Sequence, residues 1–319
     1  MTDTSIRGRF VWHELMSNDP DAAAAYFRTV FGWTTQPFGQ TPGYRLFMSG
    51  AQGAGGLMLL PDQAKAHGTP PVWVTYIATP DIDDTVARAV ALGGRILRAV
   101  QDIPTIGRVA LLADPQGAMF AAITPLPRAG SLGRERHSWH ELATTDPIAA
   151  IAFYHQLFGW EEAGASDMGP DLGTYQMFGF GGVPMGGMMK QSAQAPGPAA
   201  WLGYVRVDDV RTLAKKITGA GGTITHGPAE VPGGDWIVNA VDPEGVVFAA
   251  HSPKPAEKSA PAVRTAAKPK KKAVARKKAA VKKPAPKKVT APKKSAPAKK
   301  SVEKKPSKAA RKALAKKKR

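Results

Sequence analysis

The 319-residue chain contains no cysteine. That excludes disulfides, thiolate zinc sites and cysteine nucleophiles together. No uninterrupted apolar run approaches the ~20 residues that a bilayer-spanning helix needs, and residues 1–9 lack the apolar stretch of a secretory signal. Aromatic residues are absent from Ser252 to Arg319, so this last stretch has little with which to bury a core. These absences predict a cytoplasmic protein with no membrane partner.

Charge divides the chain at the same place. Residues 252–319 hold 27 Lys and Arg against Glu257 and Glu303, a net of +25, whereas residues 1–251 hold 17 basic and 23 acidic residues, a net of −6. The overall +19 therefore describes neither part. An acidic globular body is expected to carry a disordered Lys/Ala/Pro-rich tail over residues 253–319. Lysine runs set among Ala and Pro, such as Lys270-Lys271-Lys272 and Lys299-Lys300, resemble the tails of linker histones. Flexible lysines meet phosphates as point charges and read no bases, so the tail is expected to bind DNA or RNA without sequence preference and with steep salt dependence. Nucleoid association would follow from that; a solubilising extension is the plainer alternative.

Within the body the sequence repeats itself. Trp12-His13-Glu14-Leu15 recurs as Trp139-His140-Glu141-Leu142, and Phe31-Gly32-Trp33 as Phe158-Gly159-Trp160, each 127 residues on. Trp73, Tyr76, Gly93-Gly94 and Asp114-Pro115-Gln116-Gly117 are answered 128 residues later by Trp201, Tyr204, Gly221-Gly222 and Asp242-Pro243-Glu244-Gly245. So long a period indicates domain duplication, with each copy large enough for its own core.

Each copy reads as the same α+β pattern twice over. A short strand (Val11 to Met16) leads into Asp19-Pro20, where Asp at the N-cap and Pro at the first helical position start a helix that Gly32 stops. Hairpin strands follow over 43–49 and 53–60, then a strand over 72–79, an amphipathic helix over 81–92 and three short strands. The second copy repeats the order from Asp146-Pro147. Each copy is thus two βαβββ modules, and the expected boundaries are 8–126, a linker at 127–136, and 137–252.

This strand, Asp-capped helix ending Phe-Gly-Trp, and closing Asp-Pro-x-Gly hairpin resemble the vicinal oxygen chelate superfamily, which includes glyoxalase I, extradiol dioxygenases, fosfomycin-resistance enzymes and bleomycin-binding proteins. The tandem Trp-x-Glu-Leu openings resemble its paired glyoxalase-like branch. The resemblance implies that two βαβββ modules form a half-open, barrel-like sheet around a cleft. In metal-using members, His, Gln or Glu from four strands hold a divalent ion there. Carried across, those positions fall on Trp12 and Trp139, near Val74 and Leu202, on Ala121 and Ala249, and around Met58 and Met188. None suits a metal, so no cofactor is expected. A strand register shifted by one residue would bring His13 and His140 into the cleft as metal ligands; otherwise they lie on the opposite face, as satisfied partners beneath a helix.

Two-residue alternation puts Glu14 with Trp12, and Glu141 with Trp139, on the cleft face. A carboxylate in an apolar cleft is suited to general-base work or to accepting a ligand hydrogen bond, and equally to organising its own strand. Tyr76 and Tyr204 alternate onto the same face as ligand-contacting residues. In the second copy, Arg206 and His251 are expected to join Glu141 and Tyr204, giving base, proton shuttle and anion clamp; the bland reading of His251 is a residue at the edge of the tail. Small-metabolite binding or glyoxalase-type lyase or isomerase chemistry is the expected function. A non-catalytic sequestering protein and a nucleoid scaffold, each compatible with a homodimer, are the rivals.

Overall fold

The computed structural model describes residues 6–39, 41–126, 137–170, 173–192 and 198–254. The expected linker 127–136 and the tail from residue 255 onward lie outside the described residues.

Each repeat opens on a strand that feeds an Asp-capped helix. β1 (Phe10–Ser17) leads into α1 (Pro20–Phe31), where the Asp19 carboxylate accepts the N–H groups of Asp21 and Ala22 at 3.1 and 3.0 Å. Gly32 closes the helix at φ 73°, in the left-handed region that glycine enters without penalty. In the second copy β9 (His137–Thr144) leads into α4 (Pro147–Phe158), capped by Asp146 and closed by Gly159 at φ 78°. The second helix of each copy, α3 (Ile82–Ala91) and α5 (Val210–Gly219), is likewise capped by an aspartate, Asp81 and Asp209.

The strands form two eight-stranded sheets of identical topology. In the first, β2 (Thr34–Pro37), β3 (Arg45–Ser49) and β4 (Gln52–Leu59) complete module one, and β5 (Val72–Ala78), β6 (Arg95–Ile103), β7 (Gly107–Ala113) and β8 (Met119–Pro125) make module two. The order is β2-β3-β4-β1-β5-β8-β7-β6: β1 pairs in parallel with β4, β5 in parallel with β8, and the modules join along antiparallel β1 and β5. The second sheet repeats this with β10 (Glu161–Asp167), β11 (Thr174–Phe180), β12 (Val183–Lys190), β13 (Ala200–Arg206), β14 (Thr223–Glu230), β15 (Trp236–Val241) and β16 (Val247–Ser252). The resemblance-based expectation of paired βαβββ modules holds. The hairpin reading named two strands after each first helix where there are three, and did not foresee α2 (Asp62–Ala66), a short helix between the modules of copy one.

The cores depart from the expectation that each copy holds its own. One core combines module two of the first repeat (Ile77, Leu112, Phe120) with module one of the second (Tyr154, Trp160, Phe178). The other combines module one of the first repeat (Leu15, Phe27, Phe47) with module two of the second (Leu213, Ile217, Phe248). The helix-bearing faces of the two sheets are therefore pressed together, and the described residues all belong to one compact unit. Polar contacts run the same way. Glu244, in the closing turn of repeat two, accepts the Ser17 hydroxyl and the N–H groups of Asn18 and Asp19, placing a carboxylate at the N-terminus of α1 where the helix dipole favours it. The Tyr154 hydroxyl donates to Asp114 Oδ2 at 3.1 Å, and the Trp160 indole N–H to the Gly8 carbonyl at 2.8 Å.

His13 and His140 meet at the middle of this junction. Their Nε2 atoms are 3.1 Å apart, one donating and the other accepting. His137 stacks on His13, and Phe10 on His140, each with ring centroids 3.6 Å apart. Burial holds the pKa of all three histidines below the usual value, that of His137 at about 3. The face assignment by alternation is right, but the covering element is the opposite repeat rather than a helix alone.

Candidate active site in each cleft

The face of each sheet turned away from the shared cores carries the same four-residue network. In repeat one the Trp12 indole N–H donates to the Tyr44 hydroxyl at 3.1 Å, and the Tyr76 hydroxyl donates to Glu14 Oε1 at 3.0 Å. Tyr44 is a second hydroxyl partner of the Glu14 carboxyl. In repeat two the Trp139 indole N–H donates to the Tyr175 hydroxyl at 2.7 Å, and the hydroxyls of Tyr175 and Tyr204 donate to Glu141 at 3.2 and 3.3 Å. Burial raises the pKa of Glu14 and Glu141 against the opposing pull of their tyrosines, and in repeat one of Arg98. Burial and the adjacent carboxyl raise the tyrosines in turn, so each stays a hydrogen-bond donor.

Glycine makes room for this network. Gly56 lies opposite Glu14, and Gly187 opposite Glu141, in parallel pairings with the first strands. A Cβ on Gly56 would come within 2.0 Å of the Tyr44 hydroxyl oxygen, and one on Gly187 within 2.1 Å of the Tyr175 ring. The glycine-rich strands thus serve as floors over which the tyrosines lie.

Trp12, Tyr76, Glu14, Trp139, Tyr204 and Glu141 all stand where alternation places them, on the cleft faces. Tyr44 and Tyr175 were missed. They are 131 residues apart rather than 127 or 128, because β10 spans 7 residues where its counterpart β2 spans 4. Their shared signal is Tyr-x-x-Phe, Tyr44 to Phe47 and Tyr175 to Phe178. The same offset corrects one position: Met58 pairs with Met16 and Met189 with Ala143, so Met189 answers Met58 while Met188 is buried in a shared core.

The cleft of repeat one is a hollow open to solvent, with Glu14, Tyr76, Arg98 and Gln101 supplying polar atoms among Met16, Val74 and Leu111. The register puts His226 in repeat two where Arg98 stands, and Asn239 where Leu111 stands. The two clefts share their carboxyl network and differ in the side chains facing it.

The expected convergence of His251 and Arg206 on Glu141 is not what the structure shows. Arg206 and His251 pair with each other two residues beyond the Tyr204–Ala249 pair, roughly 7 Å along the strands at the usual rise. There His251 bonds Ser138 and Asp235, and Arg206 is exposed within electrostatic reach of Asp235. His13 and His140 likewise lie outside the clefts, and the register is the unshifted one.

The donor set does not fit a divalent ion. The transferred ligand positions carry indole, aliphatic and thioether groups, each cleft offers one carboxyl, and among the described residues no three His, Cys, Asp or Glu side chains come together as a metal site would require.

Comparison with known proteins agrees with this architecture. The model of the Glyoxalase/Bleomycin resistance protein/Dioxygenase superfamily matches twice, over residues 9–122 and 137–250. The putative glyoxylase CFP32 of Mycobacterium tuberculosis is 31% identical over 255 residues, covering 77% of this chain and 95% of that protein. The anthracycline biosynthesis protein DnrV of Streptomyces peucetius is 28% identical over 272 residues, covering 76% and 92%. Among solved structures, a variant of homoprotocatechuate 2,3-dioxygenase from B. fuscum superposes with a TM-score of 0.56 at 14% identity, covering 78% of this chain and 72% of that one, a likeness of fold alone. The chain belongs to the Glyoxalase/Bleomycin resistance protein/Dioxygenase superfamily.

Proposed function

We propose that the two clefts bind a small oxygenated, ring-bearing metabolite and act on it without a metal, through Glu14 and Glu141. The observation that carries this reading is the recurrence of one Trp–Tyr–Glu–Tyr network in both clefts. A buried carboxyl with a raised pKa can take a proton from carbon next to a carbonyl, while a tyrosine hydroxyl meets the oxygen on which charge develops. The indoles of Trp12 and Trp139 supply apolar walls for a flat ligand. Glyoxalase-type isomerase or lyase chemistry fits such a base and donor pair. The curated relative that serves in anthracycline biosynthesis favours hydroxylated polycyclic ligands as the first to try.

Tryptophan fluorescence titration with a hydroxyanthraquinone tests binding. Glu14→Gln and Glu141→Gln together are expected to weaken it at least tenfold, and unchanged affinity would refute the reading. Turnover of hemithioacetals or dicarbonyls separates a catalyst from a sequestering protein. Calorimetry with nickel, zinc, manganese and ferrous iron is expected to show no stoichiometric binding to the body; tight binding would restore a metalloenzyme.

The second reading concerns the tail, carried by its net charge of +25 over residues 252–319. It would tether the body to DNA or RNA, placing the protein in the cytoplasm at the nucleoid. Affinity for mixed-sequence duplex should fall steeply between 50 and 200 mM salt, as about 10³-fold is lost by proteins making several phosphate contacts. Salt-independent binding would contradict it.

A further inference from the structure

β9 carries a bulge. Tyr204 pairs with Trp139 and Val205 with His137, which leaves Ser138 out of the ladder. Its exposed hydroxyl lies 2.9 Å from His251 Nδ1, and a second acceptor, the Tyr204 carbonyl, is at 3.5 Å. The other ring nitrogen, Nε2, is 2.8 Å from Asp235 Oδ2, while Asp235 Oδ1 accepts the Lys254 N–H at 2.8 Å. The His251 bond, and then the Lys254 N–H, hold the Asp235 carboxyl below the usual range. An ionised Asp235 keeps the ring proton on Nε2, and Nδ1 then presents its lone pair to the serine.

Repeat one builds nothing comparable. The pairings put Val11, Ile123, Gly107 and Ala78 at the positions of Ser138, His251, Asp235 and Arg206. A relay needed only to tie the fold together would be expected in both copies, since both build the same bulge and the same strands. Here four polar residues are assembled in one copy, around an accessible hydroxyl.

We propose that Ser138, His251 and Asp235 form a nucleophile, base and orienting group for acyl transfer from small esters. Ser138 Oγ attacks the acyl carbon as its proton passes to His251 Nδ1. The ester C–O bond breaks, and the leaving alkoxide takes that proton. Water, deprotonated by the same nitrogen, then hydrolyses the acyl-serine to a carboxylic acid and restores the hydroxyl. Asp235 balances the imidazolium in both halves and does not itself transfer a proton. The ring is presented in the opposite sense to the familiar serine hydrolases, with Nδ1 rather than Nε2 on the serine.

The lysines of the tail would themselves consume activated esters, so the readout must resolve sites. The full chain is treated with a fluorophosphonate, whose phosphorus Ser138 Oγ attacks with loss of fluoride, and digested for mass spectrometry. Ser138 is expected to label at least 100-fold faster than the other serines of the same digest, and His251→Gln to remove that advantage without moving the thermal midpoint. Should His251→Gln destabilise the fold, Asp235→Asn serves as the second variant, with the same loss expected. Labelling of Ser138 no faster than its neighbours, or labelling indifferent to a folded His251 or Asp235 variant, overturns the proposal.

Discussion

At the scale of single residues, the clefts depend as much on what glycine omits as on what tyrosine supplies. Gly187→Ala would set a methyl group 2.1 Å from the Tyr175 ring, so Tyr175 must leave Glu141 or the strand must shift. Its expected outcome is a loss of ligand affinity of the same order as Tyr175→Phe, read by tryptophan quenching, whereas alanine at the open Gly219 should leave affinity unchanged. The sequence made Glu14, Glu141 and their flanking tryptophans legible because alternation along a strand is a two-residue rule that tolerates no drift. It hid Tyr44 and Tyr175 because their partner relation crosses a hairpin whose strands differ in length between copies. It misplaced His251 for a related reason: the correct face says nothing about distance along the strand, and two residues carried the imidazole from Glu141 to Asp235.

At the scale of elements, the four long helices were the most readable part of the chain, since an aspartate cap fixes each start, whereas the uncapped α2 went unforeseen. Replacing Asp146 by Ala removes the acceptor for the Ala149 N–H at 3.0 Å. A cost of about 1 kcal/mol is expected for such a cap, seen as a lower midpoint in thermal unfolding. Asp19 should behave differently. The side chain of Glu244 from the other repeat holds the N–H of Asp19 itself, so the penalties of Asp19→Ala and Glu244→Ala should not add; additive losses in a double-mutant cycle would contradict the coupling. Which face of α1 is apolar was visible in the sequence. That the face is covered by α5 of the other repeat was not, because periodicity identifies a buried stripe without naming its partner.

At the scale of the whole molecule, the shared cores make the body one folding unit. Residues 1–130 and 131–258 produced separately should each expose half of two cores and be insoluble or unfolded alone. Co-expressed, they should recover a one-to-one complex on size-exclusion chromatography; two independently folded monomers would refute the interlocked arrangement. The histidine stack adds a pH dependence whose sign is fixed. His13, His137 and His140 have pKa values below the unfolded value of 6.5, that of His137 at about 3. The unfolded chain therefore binds more protons in this interval. Stability from these groups is complete above pH 6.5 and declines as pH falls towards 3. Glu14 and Glu141, with raised pKa values, act in the opposite sense and soften the decline. His137→Phe, which keeps a ring against His13, should flatten the acid limb of a plot of thermal midpoint against pH; an unchanged slope would show that the stack does not govern it.

The crossed cores also bear on how the protein is made. The first repeat leaves the ribosome with the apolar faces of α1 and α3 uncovered, and their partners α5 and α4 are still to be translated. At roughly 5–20 residues per second, the ~130 residues of the second repeat keep those faces waiting for roughly 6–25 s. A nascent chain of this design spends its most aggregation-prone interval half-built, and its yield in the cell should respond to translation speed and chaperone supply more than its final stability would suggest.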